Sequence, residues 1–181
     1  MINDVEEVLV SAEEIDREVS RLAAEINEYY RDKNLLVVCV LKGSLLFTSD
    51  LIKKVNLRAE IEFMRVASYH GATVSSGRVE TRLEIDRQDL SDYDVLVIED
   101  IVDSGRTLAY LRDYFVQKGA KSFKCCTMLD KPDRRVIDIE PDFTGKIIPD
   151  KFVIGYGLDY GEKYRNLPFV GVLKPEVYEQ K

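Results

Sequence analysis

The chain has 181 residues, 45% of them hydrophobic and 33% charged, an ordinary balance for a soluble globular domain with a real core. A formal net charge of −7 and a pI near 4.9 argue against broad binding to nucleic acid or anionic membranes, which needs a basic face. No apolar run approaches the ~20 residues of a membrane span, and Met1–Val10 carries Asp4, Glu6 and Glu7 with no basic residue, unlike a signal peptide.

Ser11 and Glu14 form a capping box, and Ile15, Val19, Leu22, Ala23 and Ile26 recur at helical spacing, which predicts an amphipathic helix over about 12–30. Leu35 to Leu41 is a continuous apolar strand. Lys42-Gly43-Ser44 then interrupts it, and Leu45 to Val55 reads as a helix. This strand, polar loop and helix can hold an anion, or be only a glycine helix start with a solvated lysine. Ala59 to Tyr69 is strand-like, and the polar run His70–Arg78, with two glycines and little to bury, predicts a mobile flap. Val79, Thr81, Leu83 and Ile85 alternate with charged residues. After the strand from Asp94 come a helix over Thr107–Lys118, Gly119 at its C′ position, and a strand over Ser122–Leu129. Alternating strands and helices with short links predict an α/β fold with a parallel sheet, whose ligands bind beyond the C-terminal strand ends. Lys42, Glu99, Asp100, Asp103 and Lys131 all follow predicted strand ends and converge on one rim.

The run Val95–Leu108 concentrates the chemistry. Four apolar residues are followed by Glu99-Asp100, two aliphatics, Asp103-Ser104-Gly105-Arg106-Thr107 and a helical pattern. A helix start offers N–H groups without intrahelical partners and the positive end of the helix dipole, a ready phosphate site. Ser104 and Thr107 add hydroxyl donors, and Gly105 lets the backbone approach an anion closely. Glu99 and Asp100 suit a sugar or a hydrated Mg²⁺, which prefers carboxylate oxygen. The plainer alternative is an acidic turn in which Ser or Asp caps a helix.

Cys39, Cys125 and Cys126 all fall in apolar strands, which predicts reduced, buried thiols and a cytoplasmic protein rather than a redox pair. His70 is the only histidine, so triads and multi-histidine metal sites lack support. All 5 prolines lie at or beyond Pro132, where no long helix pattern survives. That tail predicts a loop-and-strand cap over about 131–181, joined by the N-terminal segment, on a core of about 30–130 within one domain spanning 1–181.

The Glu99–Thr107 pattern resembles the phosphoribosyl pyrophosphate (PRPP) signature of the type I phosphoribosyltransferases, with every fixed position filled. Pro149 to Tyr160, Leu41-Lys42-Gly43, Ser68-Tyr69 and Leu129-Asp130-Lys131-Pro132 resemble the hood and other site segments of hypoxanthine (hypoxanthine-guanine) phosphoribosyltransferases, the bacterial form more closely, over about residues 5–178. The resemblance implies the type I fold with a flexible flap at Ser68 and Tyr69 and a small C-terminal hood. It implies Mg²⁺-dependent transfer of ribose 5-phosphate from PRPP to a 6-oxopurine, as a homodimer or homotetramer.

It also assigns roles. Glu99 and Asp100 would meet the ribose hydroxyls and the Mg²⁺ shell, and residues 103 to 107, Arg106 included, the 5′-phosphate. Lys42 and Gly43 would hold pyrophosphate through a non-proline cis peptide, helped by Arg165. Lys131 would donate to the purine's exocyclic oxygen, Phe152 stack on the base, and Val153 offer main-chain groups. Asp159 is expected both at the purine and at a second Mg²⁺, and Asp103 as the proton acceptor. A PRPP-sensing regulator of nucleic acid would need a basic face or an added domain, and a doubly wound nucleotide-binding module a GxGxxG fingerprint; this sequence has none of these.

Overall fold

The computed structural model describes residues 1–68 and 79–178. In chain order the strands and helices are β1 (Val5–Val10), α1 (Ala12–Tyr29), β2 (Leu35–Leu41), α2 (Leu45–Ile52), β3 (Ala59–Ser68), β4 (Val79–Leu83), β5 (Asp94–Val102), α3 (Arg106–Gln117), β6 (Ser122–Asp130), β7 (Phe143–Ile147), β8 (Val153–Ile154), β9 (Val170–Leu173) and α4 (Pro175–Tyr178). A six-stranded sheet runs β4-β3-β2-β5-β6-β7, parallel except for the β3–β4 pair, and a small antiparallel sheet runs β1-β9-β8.

The apolar runs of β2 and β5 are central strands covered on both faces, which is why they show no alternation. Leu35, Val37, Leu96 and Ile98 pack with α1 residues Ile15, Val19, Leu22 and Ile26, whereas Leu36, Val38, Val95 and Val97 pack with Leu111 and Phe115 of α3. Cys125 and Cys126 are neighbours on one strand and so face opposite sides, in different clusters; all three thiols are free and buried. Burial pushes both the Cys125 and Cys126 thiols well above the ordinary range, away from redox chemistry.

The helix signals hold in detail. Ser11 Oγ accepts from the Glu14 N–H at 3.2 Å, and Glu14 Oε2 accepts from the Ser11 N–H at 2.9 Å, a complete capping box. α3 ends in a Schellman motif: Gly119 (φ 77°) donates to Val116 O at 3.0 Å, and Ala120 donates to Phe115 O at 3.0 Å.

Four expectations need correction. α2 stops at Ile52 rather than Val55, because the chain tightens to a Lys54 N–H···Leu51 O turn. β4 ends at Leu83, and a bulge opposite Arg65 and Val66 breaks the alternation, so Leu83 is exposed while Ile85 turns into the core. β5 runs to Val102, which puts Glu99 and Asp100 inside the strand rather than after it. The main sheet also reaches past residue 131: β7 pairs parallel with β6, and the connection between them carries a single 3₁₀ turn at Pro132–Arg134 instead of a helix. The small cap sheet is therefore built from β1, β8 and β9.

Candidate active site

β2 and β5 are adjacent, but the chain continues from β2 to β3 on one side and from β5 to β6 on the other. Such a reversal opens a crevice at the carboxyl ends of the two strands. The β2–β5 register ends at Cys39–Ile98, so the segment from Glu99 to Val102 runs on beyond it. Lys42, Gly43, Glu99, Asp100, Thr107, Asp159 and Arg165 line a cleft of about 340 Å³ there.

Two glycines allow three segments to meet in this cleft. A Cβ on Gly43 would lie 1.5 Å from Asp100 Oδ2, and a Cβ on Gly157 (φ +100°) would lie 1.8 Å from Gly43 O. The Leu41–Lys42 peptide is cis, as the resemblance implies. Ser44 turns away from the cleft, fully buried, and donates to Val40 O at 2.8 Å.

Glu99 is only 6% exposed, and its Oε1 has no hydrogen-bond partner. Burial, then the neighbouring Asp100 carboxylate, raises its pKa well above the usual range. Burial likewise lifts Asp100 to about 6, opposed by the Ile101 N–H, which donates to Oδ1 at 2.8 Å, and by Arg165. Arg165 Nη1 donates to Gly157 O at 2.7 Å while Nη2 lies 2.8 Å from Asp159 Oδ1 and 3.4 Å from Glu162 Oε1. The Arg165 Nε is buried without a partner. Lys42 Nζ meets Glu162 Oε2 at 2.6 Å.

From β5 the chain turns through Asp103-Ser104-Gly105 into α3. Gly105 is the N-cap at φ 81° and has no side chain to cap the helix, while Ser104 Oγ accepts from the first helical N–H, that of Arg106, at a long 3.4 Å. Gly105 has a further use besides the expected one. Its Cβ would strike Ile139 Cγ2 at 2.8 Å and Arg135 Cδ at 3.0 Å, so the glycine serves the positive φ and the close packing of the following loop. That loop is tied down by the Val136 N–H, which donates to Ser104 O at 3.0 Å.

A second cleft of about 390 Å³ lies beside the first, lined by Ile101, Asp103, Lys131, Arg134, Phe152, Val153 and Tyr178 among others. Lys131 is 7% exposed and donates to Lys151 O at 2.5 Å, with Asp150 Oδ1 at 3.9 Å. Burial lowers its pKa, opposed by Asp103 and Asp150. Arg134 Nε donates to Asp103 Oδ1 at 3.2 Å. Phe152 is stacked on Tyr178 with centroids 5.1 Å apart and meets Tyr160 edge-on at 5.7 Å. β8 is an edge strand, and the Leu173 N–H donates to Phe152 O. Hydrogen-bonded and non-bonded pairs alternate along such a ladder. Val153, opposite Val172, is thus in a non-bonded pair, and its N–H and C=O face away from β9.

Residues 9–161 match the phosphoribosyl transferase domain family. The chain belongs to that family. This phosphoribosyltransferase is 51% identical over 179 residues to the hypoxanthine-guanine phosphoribosyltransferase of Bacillus subtilis (strain 168), covering 99% of each chain. It is 48% identical to a bifunctional protein TilS/HprT of Listeria monocytogenes serotype 4b (strain F2365), covering 99% of this chain and 28% of that one. A crystal structure of a hypoxanthine phosphoribosyltransferase from Staphylococcus aureus superposes with a TM-score of 0.93 at 47% identity, covering 98% of this chain and 96% of that one.

The phosphoribosyltransferase gathers most of its sequence-predicted residues into two groups, while Ser104, Gly105 and Arg106 line neither cleft. Lys42, Gly43, Glu99, Asp100, Thr107 and Arg165 share the first cleft, and Asp103, Lys131, Phe152 and Val153 the second. Asp159, expected both at the purine and at a second Mg²⁺, lines the first cleft, where the turn carrying it is held to Arg165. Ser68 ends β3, while Tyr69 and the rest of the expected flap lie outside the described residues. Sequence reasoning missed Arg134, Arg135, Glu162 and Tyr178. The adjacent arginines after Pro132 were the one available signal; Glu162 and Tyr178 are distinguished only by what they touch.

Proposed function

We propose that this protein is a purine salvage enzyme that converts hypoxanthine or guanine and PRPP to IMP or GMP and pyrophosphate, with Mg²⁺. The observation that carries this reading is the pair of adjoining clefts on one rim. One holds buried carboxylates with two cations and the start of α3 at Thr107, the other a buried lysine beside an exposed aromatic ring and an open strand edge.

The residues suit the metal. Glu99 Oε1 is a buried oxygen in need of a partner, and Asp100 and Asp159 add carboxylates in the same cleft. Among the described residues no three His, Cys, Asp or Glu side chains form a ready cage. The fit is therefore to an ion held by one or two carboxylates and by substrate oxygens, as Mg²⁺ prefers. Bound there, Mg²⁺ would offset the charge that builds on the leaving pyrophosphate.

The protein's own groups divide the remaining work. N–H groups of residues 104–107 and the Ser104 and Thr107 hydroxyls hold the 5′-phosphate at the positive end of α3, beside Arg106. Glu99 and Asp100 accept from the ribose hydroxyls, and their carboxyl oxygens face the positive charge that develops on the ring. Lys42, the Gly43 backbone and Arg165 hold the pyrophosphate, Arg165 with a planar fork of donors. In the second cleft Phe152 stacks on the base, Lys131 donates to its exocyclic oxygen, and Val153 pairs with its edge through main-chain groups. Asp103, in the wall of the second cleft and held by Arg134, accepts the proton from the purine's imidazole ring as the new C–N bond forms.

We place the enzyme in the cytoplasm as a homodimer or homotetramer. The three buried free thiols support the first reading, and the exposed Ile61 and Phe63 on β3 support the second. Initial rates with PRPP and hypoxanthine, guanine, xanthine, adenine or uracil test the function. IMP and GMP should form and the reaction should stop in excess chelator. Turnover of adenine or uracil alone, or full activity without metal, overturns it.

A further inference from the structure

We propose that Glu162 is a built-in competitor for pyrophosphate, a carboxylate that lies across the two cations the leaving group needs and hastens its departure. The inference rests on the reading that Lys42 and Arg165 hold pyrophosphate. The two oxygens of Glu162 serve different cations: Oε2 is 2.6 Å from Lys42 Nζ, and Oε1 is 3.4 Å from Arg165 Nη2. A carboxylate so placed presents the same pattern as an anion bridging the pair.

The position is built by the backbone. Tyr160 and Lys163 close a tight turn, Glu162 sits at φ 65°, and its N–H donates to Asp159 Oδ2 at 2.9 Å. The Glu162 carboxylate and the Lys42 ammonium meet across 120 positions of sequence. The contact is also exchangeable, because the Lys42 and Glu162 side chains are 46% and 61% exposed. Pyrophosphate arriving at Lys42 and Arg165 must displace Glu162, and on leaving it is replaced by Glu162, so neither cation is left bare. Asp159, the other carboxylate on Arg165, does not reach across in this way; no ion pair joins it to Lys42 among the described residues.

Calorimetric titration of the full-length protein with pyrophosphate in the presence of Mg²⁺ tests this. Glu162→Gln and Glu162→Ala should each bind pyrophosphate about two- to fivefold more tightly at low ionic strength, the scale of an exposed ion pair, and the gain should shrink as salt rises. The KM for hypoxanthine should stay the same. In a Lys42→Ala background the effect of Glu162→Gln should fall, which a merely structural role for Glu162 would not produce. Unchanged or weaker pyrophosphate binding in both Glu162 variants overturns the proposal while leaving the cation site standing. If Lys42→Ala and Arg165→Ala themselves leave pyrophosphate affinity unchanged, the placement of the leaving group falls, and the proposal with it.

Discussion

Arg135 is the residue whose removal should cost this fold most for the least change in shape. Its Nη2 pairs with Asp130 Oδ1 and its Nη1 donates to the Asp103 carbonyl, so one guanidinium ties the end of β6 to the loop that opens α3. The Arg135 and Asp130 side chains are 13% and 10% exposed, which makes this the most buried ion pair among the described residues. Breaking such a pair leaves a carboxylate with little water and no partner, a loss of roughly 3–5 kcal/mol. Arg135→Met keeps the aliphatic stem and removes the charge, and the residual exposure points to the lower end, about 3 kcal/mol. In a domain of this size each kcal/mol moves Tm by roughly 2–4 °C, so the expected drop is about 6–12 °C at fixed protein concentration. Adding Asp130→Asn should restore part of it, because the orphaned charge is then gone. A drop under about 2 °C, with no coupling between the two sites, would refute the burial argument and class the pair with ordinary surface bridges.

Asp103→Asn keeps shape and hydrogen bonding but removes the proton acceptor; single-turnover chemistry should slow roughly 10²-fold with PRPP affinity unchanged, and a normal chemical rate would remove Asp103 from the mechanism. Lys131→Ala deletes a charged donor worth about 1.5–3 kcal/mol, so the KM for hypoxanthine should rise roughly 10- to 150-fold while that for PRPP holds. Unaltered discrimination between hypoxanthine and adenine would end that assignment. Glu14 has its pKa lowered to about 2, chiefly by the Ser11 N–H and then by Lys146. Its charge therefore contributes stability that is fully present above the ordinary value of 4.5 and is lost as pH falls through about 2. Glu14→Gln should lower the urea midpoint at pH 7, and the gap to the parent protein should close towards pH 2; a gap independent of pH would mean that the hydrogen bond alone, not the charge, matters.

Much of this protein is written in local pattern. The capping box at Ser11, the uninterrupted apolar runs of β2 and β5, and Gly119 after α3 each specify an element through neighbours a few residues away. Short-range sterics and hydrogen bonding decide such features, so they can be read without knowing the rest of the chain. The Glu99–Thr107 stretch is legible for the same reason, since strand, acids, glycine and helix start all fall within nine positions. Contacts between distant segments are different. That β7 joins the main sheet depends on β6 offering it an edge, and nothing in Phe143–Ile147 distinguishes that edge from one in the cap. The pairing of Arg135 with Asp130 and the bridge from Glu162 to Lys42, 120 positions apart, exist only because separate loops arrive at one rim. That Gly43 and Gly157 have no room for a side chain emerges only when Asp100 and the Gly43 carbonyl are found pressed against them. The sequence by itself determined the elements and the kinds of chemistry they carry. The tertiary structure decided which charges neutralise one another, because Coulomb attraction and desolvation depend on distance and burial in space rather than on separation along the chain.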